Sequence, residues 1–191
     1  LHGDPTYSIP SGSDMMEQAA WFYERMDDAK AEADRRVDEQ LAWCERLNAH
    51  GGLDGFALCS DYCFNDNPFL RPDLFAILIT PYLKRVIAGM RAMGFYVIKH
   101  TDGNILPILD QLVDANPHAL HSLDPQGGVD IAEVKRQYGE RVCLIGNVNC
   151  GLLTSGTDEE VVVTTTLQAK ELAAVYRTRY IPCDERRIFP F

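Results

Sequence analysis

A histidine and two other polar residues follow an apolar run in the middle of the chain. The stretch "GFYVIKHTDGNILPIL", residues 94–109, places His100, Asp102 and Asn104 where a strand-like pattern gives way to a helix-like one. An imidazole beside a carboxylate can transfer protons or bind a metal ion. This stretch is therefore the first candidate site of the sequence.

Three other apolar runs end in the same way. Asp61 and Tyr62 follow the first run, Asp124 follows the third, and Asn147 and Asn149 follow the fourth. In barrels of parallel strands, the carboxyl ends of the strands share one face, and catalytic residues collect there. We therefore expect these side chains to share a site with the residues that follow the second run.

The residue types suggest two groups within this site. Catalytic roles are predicted for Asp61, His100 and Asp102, because carboxylates and imidazoles can hold charge and move protons. Asp61 follows apolar residues and has no basic neighbour in sequence, so burial is expected to perturb its pKa. The expected substrate-binding residues are Tyr62, Asn104, Asp124, Asn147 and Asn149.

Turns and helix caps offer structural alternatives for several of these residues. Asp102 and Asp124 precede Gly and Pro, respectively, as turn-forming aspartates do. Asn104 has the position of a cap for the following helix. His100 is also compatible with a buried histidine bonded to a neighbouring carbonyl. His121 alternates with leucines, and a packing role is predicted for it.

Amphipathic helices and short apolar strands alternate along most of the chain, which is the pattern of βα units with a parallel sheet. Residues 1–12 are expected to be irregular, and residues 13–191 to form one domain that opens with Ser13 as a helix N-cap. The predicted strands cover 55–62, 95–100, 118–124 and 141–149, with a further strand possible at 179–183. The predicted helices cover 15–23, 27–48, 71–94, 105–116, 130–139 and 157–176.

Composition narrows the possible partners. The net charge of −10 argues against nucleic acid or an anionic membrane surface, and no apolar run has the length of a membrane span. The N-terminus lacks the features of a secretory signal. The six cysteines show no metal-module spacing, so we expect reduced thiols in a cytoplasmic protein. Phosphate-loop, dinucleotide and serine-hydrolase motifs are absent.

Four segments together resemble the uroporphyrinogen decarboxylase family, which includes the related cobalamin-linked methyltransferases. They are "DYCFNDNPFLRPDLFAILITPYLKRVI", "GFYVIKHTDGNILPILDQLVDA", "HSLDPQGGVDIAEVKRQYGERVCLIGNVN" and "LLTSGTDEEV". The resemblance implies a (β/α)8 barrel. Because such a barrel has about 250 residues, we expect this chain to form a partial barrel, roughly its last four to five βα units, after a helical lead-in.

For the decarboxylase branch, the resemblance implies substrate contacts from Asp61 and Tyr62 and a pocket lined by the segment from His100 to Asn104. Gly146 and Asn147 match a strand ending of the family. The arginine-rich N-terminal strand of the decarboxylases has no counterpart before residue 50, and the C-terminal "RYIPCDERRIFPF" departs from the family's strand ending.

For the methyltransferase branch, the resemblance implies zinc bound through a His-x-Cys motif. His100 and Asp102 occupy those two positions, so the cysteine is replaced by an aspartate. Asp can bind zinc, although its hard oxygen suits a thiolate-activating site less well than sulfur does.

Three functions follow as expectations. The first is a cofactor-independent lyase that decarboxylates a carboxylate-bearing tetrapyrrole or related acid, with Asp61 stabilising charge and His100 transferring protons. The second is a zinc-dependent methyltransferase that works with a corrinoid protein. The third is a non-catalytic half-barrel, which would pair with a second copy or with a complementary half because an open sheet leaves its edges unpaired.

Overall fold

A computed structural model describes residue 1 and residues 3–163 of the chain. Two compact units can be distinguished, Leu1–Asn149 and Cys150–Phe191. The helices of the first unit are α1 (Met15–Glu24), α2 (Met26–His50), α3 (Pro72–Leu78), α4 (Thr80–Ala92), α5 (Leu109–Asp114) and α6 (Ile131–Tyr138). Its strands are β1 (Gly55–Cys59), β2 (Tyr96–Thr101), β3 (Ala119–Ser122) and β4 (Cys143–Leu144). The expected single domain over 13–191 stays a prediction.

The four strands form one parallel sheet in the order β1-β2-β3-β4. Each strand pairs with the strand next in sequence, and helices connect them, as in consecutive units of a (β/α)8 barrel. The chain is thus an α/β protein with a partial barrel and a helical N-terminal region, as the sequence predicted. The carboxyl ends of the strands lie along one edge of this sheet.

The two faces of the sheet differ in burial. Phe56 and Leu58 of β1 and Val97 of β2 are almost completely buried and belong to the core. Ala57 and Ile98, which point to the opposite face, are only half-buried. In a closed barrel this second face would line the interior, because side chains alternate between the two sides of each strand.

The helical N-terminal region packs through small and apolar side chains. Ala29, Ala33, Val37 and Cys44 of α2 are buried at helical spacing and form the apolar stripe of this helix. The predicted N-cap is wrong by one residue: α1 begins after Asp14, whose carboxylate accepts hydrogen bonds from two preceding serine hydroxyls.

The helix predicted over 71–94 is two helices, α3 and α4, which meet at Ile79. Pro81 explains the break, because a proline has no N–H to donate and its ring clashes with the carbonyl four residues earlier. Proline is tolerated in the first turn of a helix, and Pro81 lies in the first turn of α4.

The strand predicted over 141–149 is also shorter than expected. Gly146 and Asn147 have φ angles of 120° and 74°, which turn the backbone away from an extended path. In the second unit, α7 covers Cys150–Ser155. A further helix starts as predicted: Thr157 Oγ1 accepts the N–H of Glu160, whose carboxylate accepts the N–H of Thr157. Residues 164–176 of that predicted helix and the possible strand at 179–183 lie outside the described residues.

Among the described helices, none has both the length and the apolar character that crossing a bilayer requires. The five described cysteines form no disulfide.

Candidate functional site

Two histidines meet on neighbouring strands. His100 of β2 and His121 of β3 are partners in the register of the sheet, and their Nδ1 atoms lie 2.7 Å apart. One Nδ1 must therefore carry a proton and the other accept it. Burial lowers the pKa of His121, and His100 lowers it further, while Asp102 acts in the opposite direction. The sequence predicts a packing role for His121, and the structure adds this polar contact with His100.

Two carboxylates lie on the other side of the His100 ring. His100 Nε2 is 3.8 Å from Asp61 Oδ1 and 3.8 Å from Asp102 Oδ2. Asp61 comes from the end of β1, and its Oδ1 accepts the N–H of Asp102 at 3.2 Å. The Ser122 hydroxyl donates to Asp102. The structure thus brings together the three residues predicted to be catalytic.

The environment of Asp61 differs from the expected one. Its side chain is 53% exposed, as is that of Asp102, so the predicted burial of Asp61 is wrong. The run of apolar residues before it continues only to Cys59, where β1 ends. Both carboxylates face solvent at the edge of the sheet, where a ligand can reach them.

Gly103 allows the loop after β2 to fold tightly. Its φ is 79°, and a Cβ at this position would lie 2.5 Å from the carbonyl oxygen of Cys63. The N–H of the next residue, Asn104, donates to the Phe64 carbonyl at 2.9 Å. Only glycine fits this close approach, which fixes the direction of the chain immediately after Asp102.

Two predicted substrate-binding residues each make hydrogen bonds both within their own loop and to a neighbouring loop. Asn104 donates to the carbonyl of Asp66 at 2.8 Å and accepts the N–H of Leu106 at 3.2 Å. Asp124 accepts the N–H of Gly103 at 3.2 Å and caps the short turn that follows it. The capping alternatives are therefore present, and a substrate contact by either residue stays a prediction.

The remaining predicted residues are placed differently. Tyr62 is buried, and its hydroxyl lies 2.6 Å from Thr6 Oγ1. Asn147 is buried too, and its amide donates to the carbonyls of Leu123 at 2.7 Å and Val129 at 3.0 Å. Asn149 is half-buried beyond the end of β4. Tyr62 and Asn147 are thus held by internal hydrogen bonds, and their predicted contacts to a substrate stay untested.

The cluster has the donor atoms of a metal site. Asp61, His100 and Asp102 each offer one ligand atom, and the three atoms lie within 4.8 Å of one another. The second nitrogen of His100 is held by His121, which is the kind of support that metal-bound histidines receive. One nitrogen and two carboxylate oxygens suit a borderline or hard divalent cation.

The sequence model of the uroporphyrinogen decarboxylase family, URO-D, matches residues 9–181. The chain belongs to this family. The matched range includes every strand of the sheet and the whole cluster around His100. No curated protein matches the sequence of this chain.

A methyltransferase from Methanosarcina mazei has a similar structure, with a TM-score of 0.58 and 21% sequence identity. The similarity covers 72% of this family member and 38% of the methyltransferase chain. At this identity the comparison shows the fold, which confirms the partial barrel.

Two residues of the site region were not identified from the sequence as important. The sequence places His121 in the third apolar run, but its contact with His100 could not be predicted because that contact depends on the register of β2 and β3. Lys99 was hidden because its partner, Asp4, is separated from it by 95 positions. No local pattern connects the members of either pair.

Proposed function

We propose that this URO-D family member contributes the acid–base part of a carboxy-lyase site that acts on a carboxylate-bearing tetrapyrrole or a related acid. The observation that carries the proposal is the contact between His100 and His121 beside two exposed carboxylates. A proton-transfer group positioned at the carboxyl ends of the strands is what decarboxylation needs. A small-molecule substrate and a cytoplasmic setting belong to this proposal.

Loss of CO2 breaks a C–C bond and leaves its electron pair on the substrate carbon, which must then take up a proton. When the histidine pair carries an additional proton, His100 donates its Nδ1–H to His121 and presents Nε2–H towards the solvent-exposed edge. The proton passes from Nε2 to the substrate carbon and is replaced from water. The lowered pKa of His121 favours the neutral, accepting form of that ring.

The carboxylates of Asp61 and Asp102 have a separate role in this proposal. A pyrrole ring that takes up a proton from water before decarboxylation becomes cationic and accepts the electron pair of the broken C–C bond. It returns this ring proton to water after the substrate carbon has been protonated. Fixed negative charges beside the cationic ring stabilise it. Asp61 is held through the N–H of Asp102, and Asp102 through the Ser122 hydroxyl. Both carboxylates are therefore oriented before a substrate binds.

The first test is binding of uroporphyrinogen and of an uncharged porphyrin to the purified chain, followed by mass spectrometry of the products. We expect the carboxylated compound to bind more tightly and to lose CO2. His100→Gln should lower the rate by about 100-fold, the contribution typical of one acid–base group. His50→Gln, a change at an exposed histidine at the end of α2, is the matched control. Equal binding of both compounds would exclude this function.

The donor set of Asp61, His100 and Asp102 favours a second candidate, a zinc-dependent methyltransferase that works with a corrinoid protein. The residues present fit a zinc ion, because zinc accepts imidazole nitrogen and carboxylate oxygen and leaves a position open in catalytic sites. When bound, the ion would activate the methyl-accepting group as a Lewis acid. His121 and Ser122 would orient His100 and Asp102.

Metal analysis separates the two candidates. For the methyltransferase we expect one zinc per chain, lost in His100→Ala and retained in His50→Ala. A fully folded chain that takes up no zinc after incubation with the ion and dialysis would exclude this candidate and leave the lyase. Circular dichroism of each variant shows whether the fold is intact.

A further inference from the structure

A lysine is completely buried directly beside the candidate site. Lys99 precedes His100 in β2, and its side chain has no exposed surface. Its Nζ lies 2.7 Å from Asp4 Oδ2, and the Asp4 side chain is 1% exposed. Neither of the proposed functions uses this ion pair, so its presence needs an explanation.

All hydrogen-bonding neighbours of the Lys99 amine are acceptors. Besides Asp4, they are the backbone carbonyls of Leu58 at 3.2 Å, Ser60 at 3.1 Å and His100 at 2.8 Å. An ammonium group has donors only, whereas a neutral amine would turn a lone pair towards one of these oxygens. The Tyr62 ring, centred 4.1 Å from Nζ, also favours a positive charge. Burial lowers the pKa of Lys99, and the attraction and hydrogen bond of Asp4 oppose that shift. The geometry of the surroundings, with acceptors only, is that of a charged lysine.

Asp4 carries the compensating charge. Burial alone would raise its pKa, but the attraction and hydrogen bond of Lys99 and the two donors of Thr6 hold the pKa below the usual value. Tyr62 also donates towards Asp4, at 3.3 Å. The N-terminal segment that contains Asp4 is joined to the sheet by two backbone bonds, from Ala57 to Leu1 and from Ile9 to Asp61.

We propose that Lys99, neutralised by Asp4, is a positioning residue for the candidate site. Its ammonium connects the carbonyl of Ser60, directly after β1, with the carbonyl of His100, near the end of β2. Ser60 directly precedes Asp61, and His100 carries a side chain of the site. Ser60 also donates its N–H to the His100 carbonyl at 3.4 Å. By holding both backbones, Lys99 fixes the relative positions of Asp61 and His100.

Stability alone does not explain a pair of this kind. The desolvation of two charges opposes their attraction, and replacing a buried pair by apolar residues of similar volume is often neutral or stabilising. The ammonium does provide several directed bonds at one place, which an apolar side chain cannot. This inference rests on the proposed function only in that the positioned residues are those of the candidate site.

The experiment compares two variants of the full chain. Asp4→Asn keeps the ammonium and its carbonyl contacts but leaves a buried charge uncompensated, so we expect a lower melting temperature and an unchanged site. Lys99→Met in the Asp4→Asn background removes both charges at nearly constant volume. In that double variant we expect the melting temperature to rise above that of Asp4→Asn and the site to loosen.

Two measurements report on the site without substrate or metal. The first is amide hydrogen exchange at Tyr62 and Asp102, whose N–H groups donate to Thr101 Oγ1 at 3.0 Å and Asp61 Oδ1. We expect exchange to be about tenfold faster in the double variant, relative to core amides of α4. The second is the pattern of imidazole ¹⁵N resonances that reports the contact between His100 and His121.

The outcomes are distinct. If the double variant folds but keeps the ¹⁵N resonances of His100 and His121 and the amide exchange rates of Tyr62 and Asp102 found in the parent chain, the proposal is overturned. Lys99 then has a structural role only. Equal changes in all amides would do the same. The control replaces an exposed pair, Arg141→Met with Asp114→Asn, and should change neither readout. If the double variant does not fold, Lys99→Gln in the Asp4→Asn background takes its place. A failed decarboxylation assay would not affect these results.

Discussion

His121 Nδ1 lies 2.7 Å from His100 Nδ1, and the two rings are tilted by 34° with centroids 4.9 Å apart. The contact crosses from β3 to β2, so it depends on the register in which these strands pair. It links a half-buried imidazole to one that faces two exposed carboxylates. The His100 ring is therefore held on one edge and available on the other.

Replacement of His121 should affect His100 without unfolding the chain. We expect His121→Phe, which keeps the ring shape, to remove the acceptor of His100 Nδ1 and to reduce any proton transfer or metal binding at Nε2 by about 10- to 100-fold. Imidazole ¹⁵N resonances of His100 would show the loss of the partner directly. The control is His118→Phe, at the residue directly before β3. Unchanged His100 resonances in His121→Phe would contradict the expected coupling.

Acid should destabilise the protein before its carboxylates protonate. Burial lowers the pKa of His118 and His121 below the ordinary value of 6.5, with further contributions from Arg91 and His100, respectively. Below pH 6.5 the unfolded chain therefore binds more protons than the folded chain, so the unfolding free energy falls as the pH falls through the folded-state pKa values. For each histidine the slope is at most about 1.4 kcal/mol per pH unit.

Urea unfolding between pH 7 and pH 5 measures this effect. His118→Gln and His121→Gln should each flatten the dependence in that range. The aspartates with lowered pKa values, such as Asp4, contribute a separate loss of stability only below about 3.8, their ordinary pKa. A stability that stays constant down to pH 5 would contradict the expected contribution of the two histidines.

The positions of the strands and the clustering of three catalytic candidates could be predicted because both depend on local patterns. Apolar runs mark buried strands, and parallel strands bring their carboxyl ends together. Thus the position after an apolar run identifies Asp61, His100 and Asp102, although they lie at the ends of two different strands.

The errors at the site concern features that local patterns do not contain. The exposure of Asp61 depends on where β1 leaves the sheet, and the contact of His121 depends on strand register. The burial of Lys99 depends on Asp4, which lies 95 residues earlier in the sequence. Turns after strands are similarly ambiguous: Asn104 and Asp124 have residue types that serve both for capping and for binding, and sequence cannot separate the two uses.

Asn147 is expected to be important for stability because of its buried amide. The amide donates to two carbonyls, those of Leu123 and Val129. Asn147→Gly keeps the positive φ accessible but leaves both carbonyls without this donor, which should lower the unfolding free energy by about 1–3 kcal/mol. Urea titration measures the change in unfolding free energy. The control is Asn48→Gly, the same substitution at an exposed position of α2, where only helix propensity is lost.

A change at Gly103 should damage the site through the backbone. Gly103 and Gly128 have φ angles of 79° and 74°, but a Cβ at Gly103 would meet the Cys63 carbonyl at 2.5 Å, whereas nothing lies within 4 Å of a Cβ at Gly128. Gly128→Ala should therefore lower the unfolding free energy only by the strain of an alanine in the left-handed region, about 1 kcal/mol. Gly103→Ala carries the same strain together with a backbone clash, and we expect a loss of about 3 kcal/mol or more. The difference between the two urea midpoints isolates the clash.

Because the loop also holds Asp102, Gly103→Ala should weaken binding of a divalent cation or substrate at the cluster, while Gly128→Ala should leave it unchanged. Equal effects of the two substitutions would show that the approach of Gly103 to Cys63 does not set the geometry of the site.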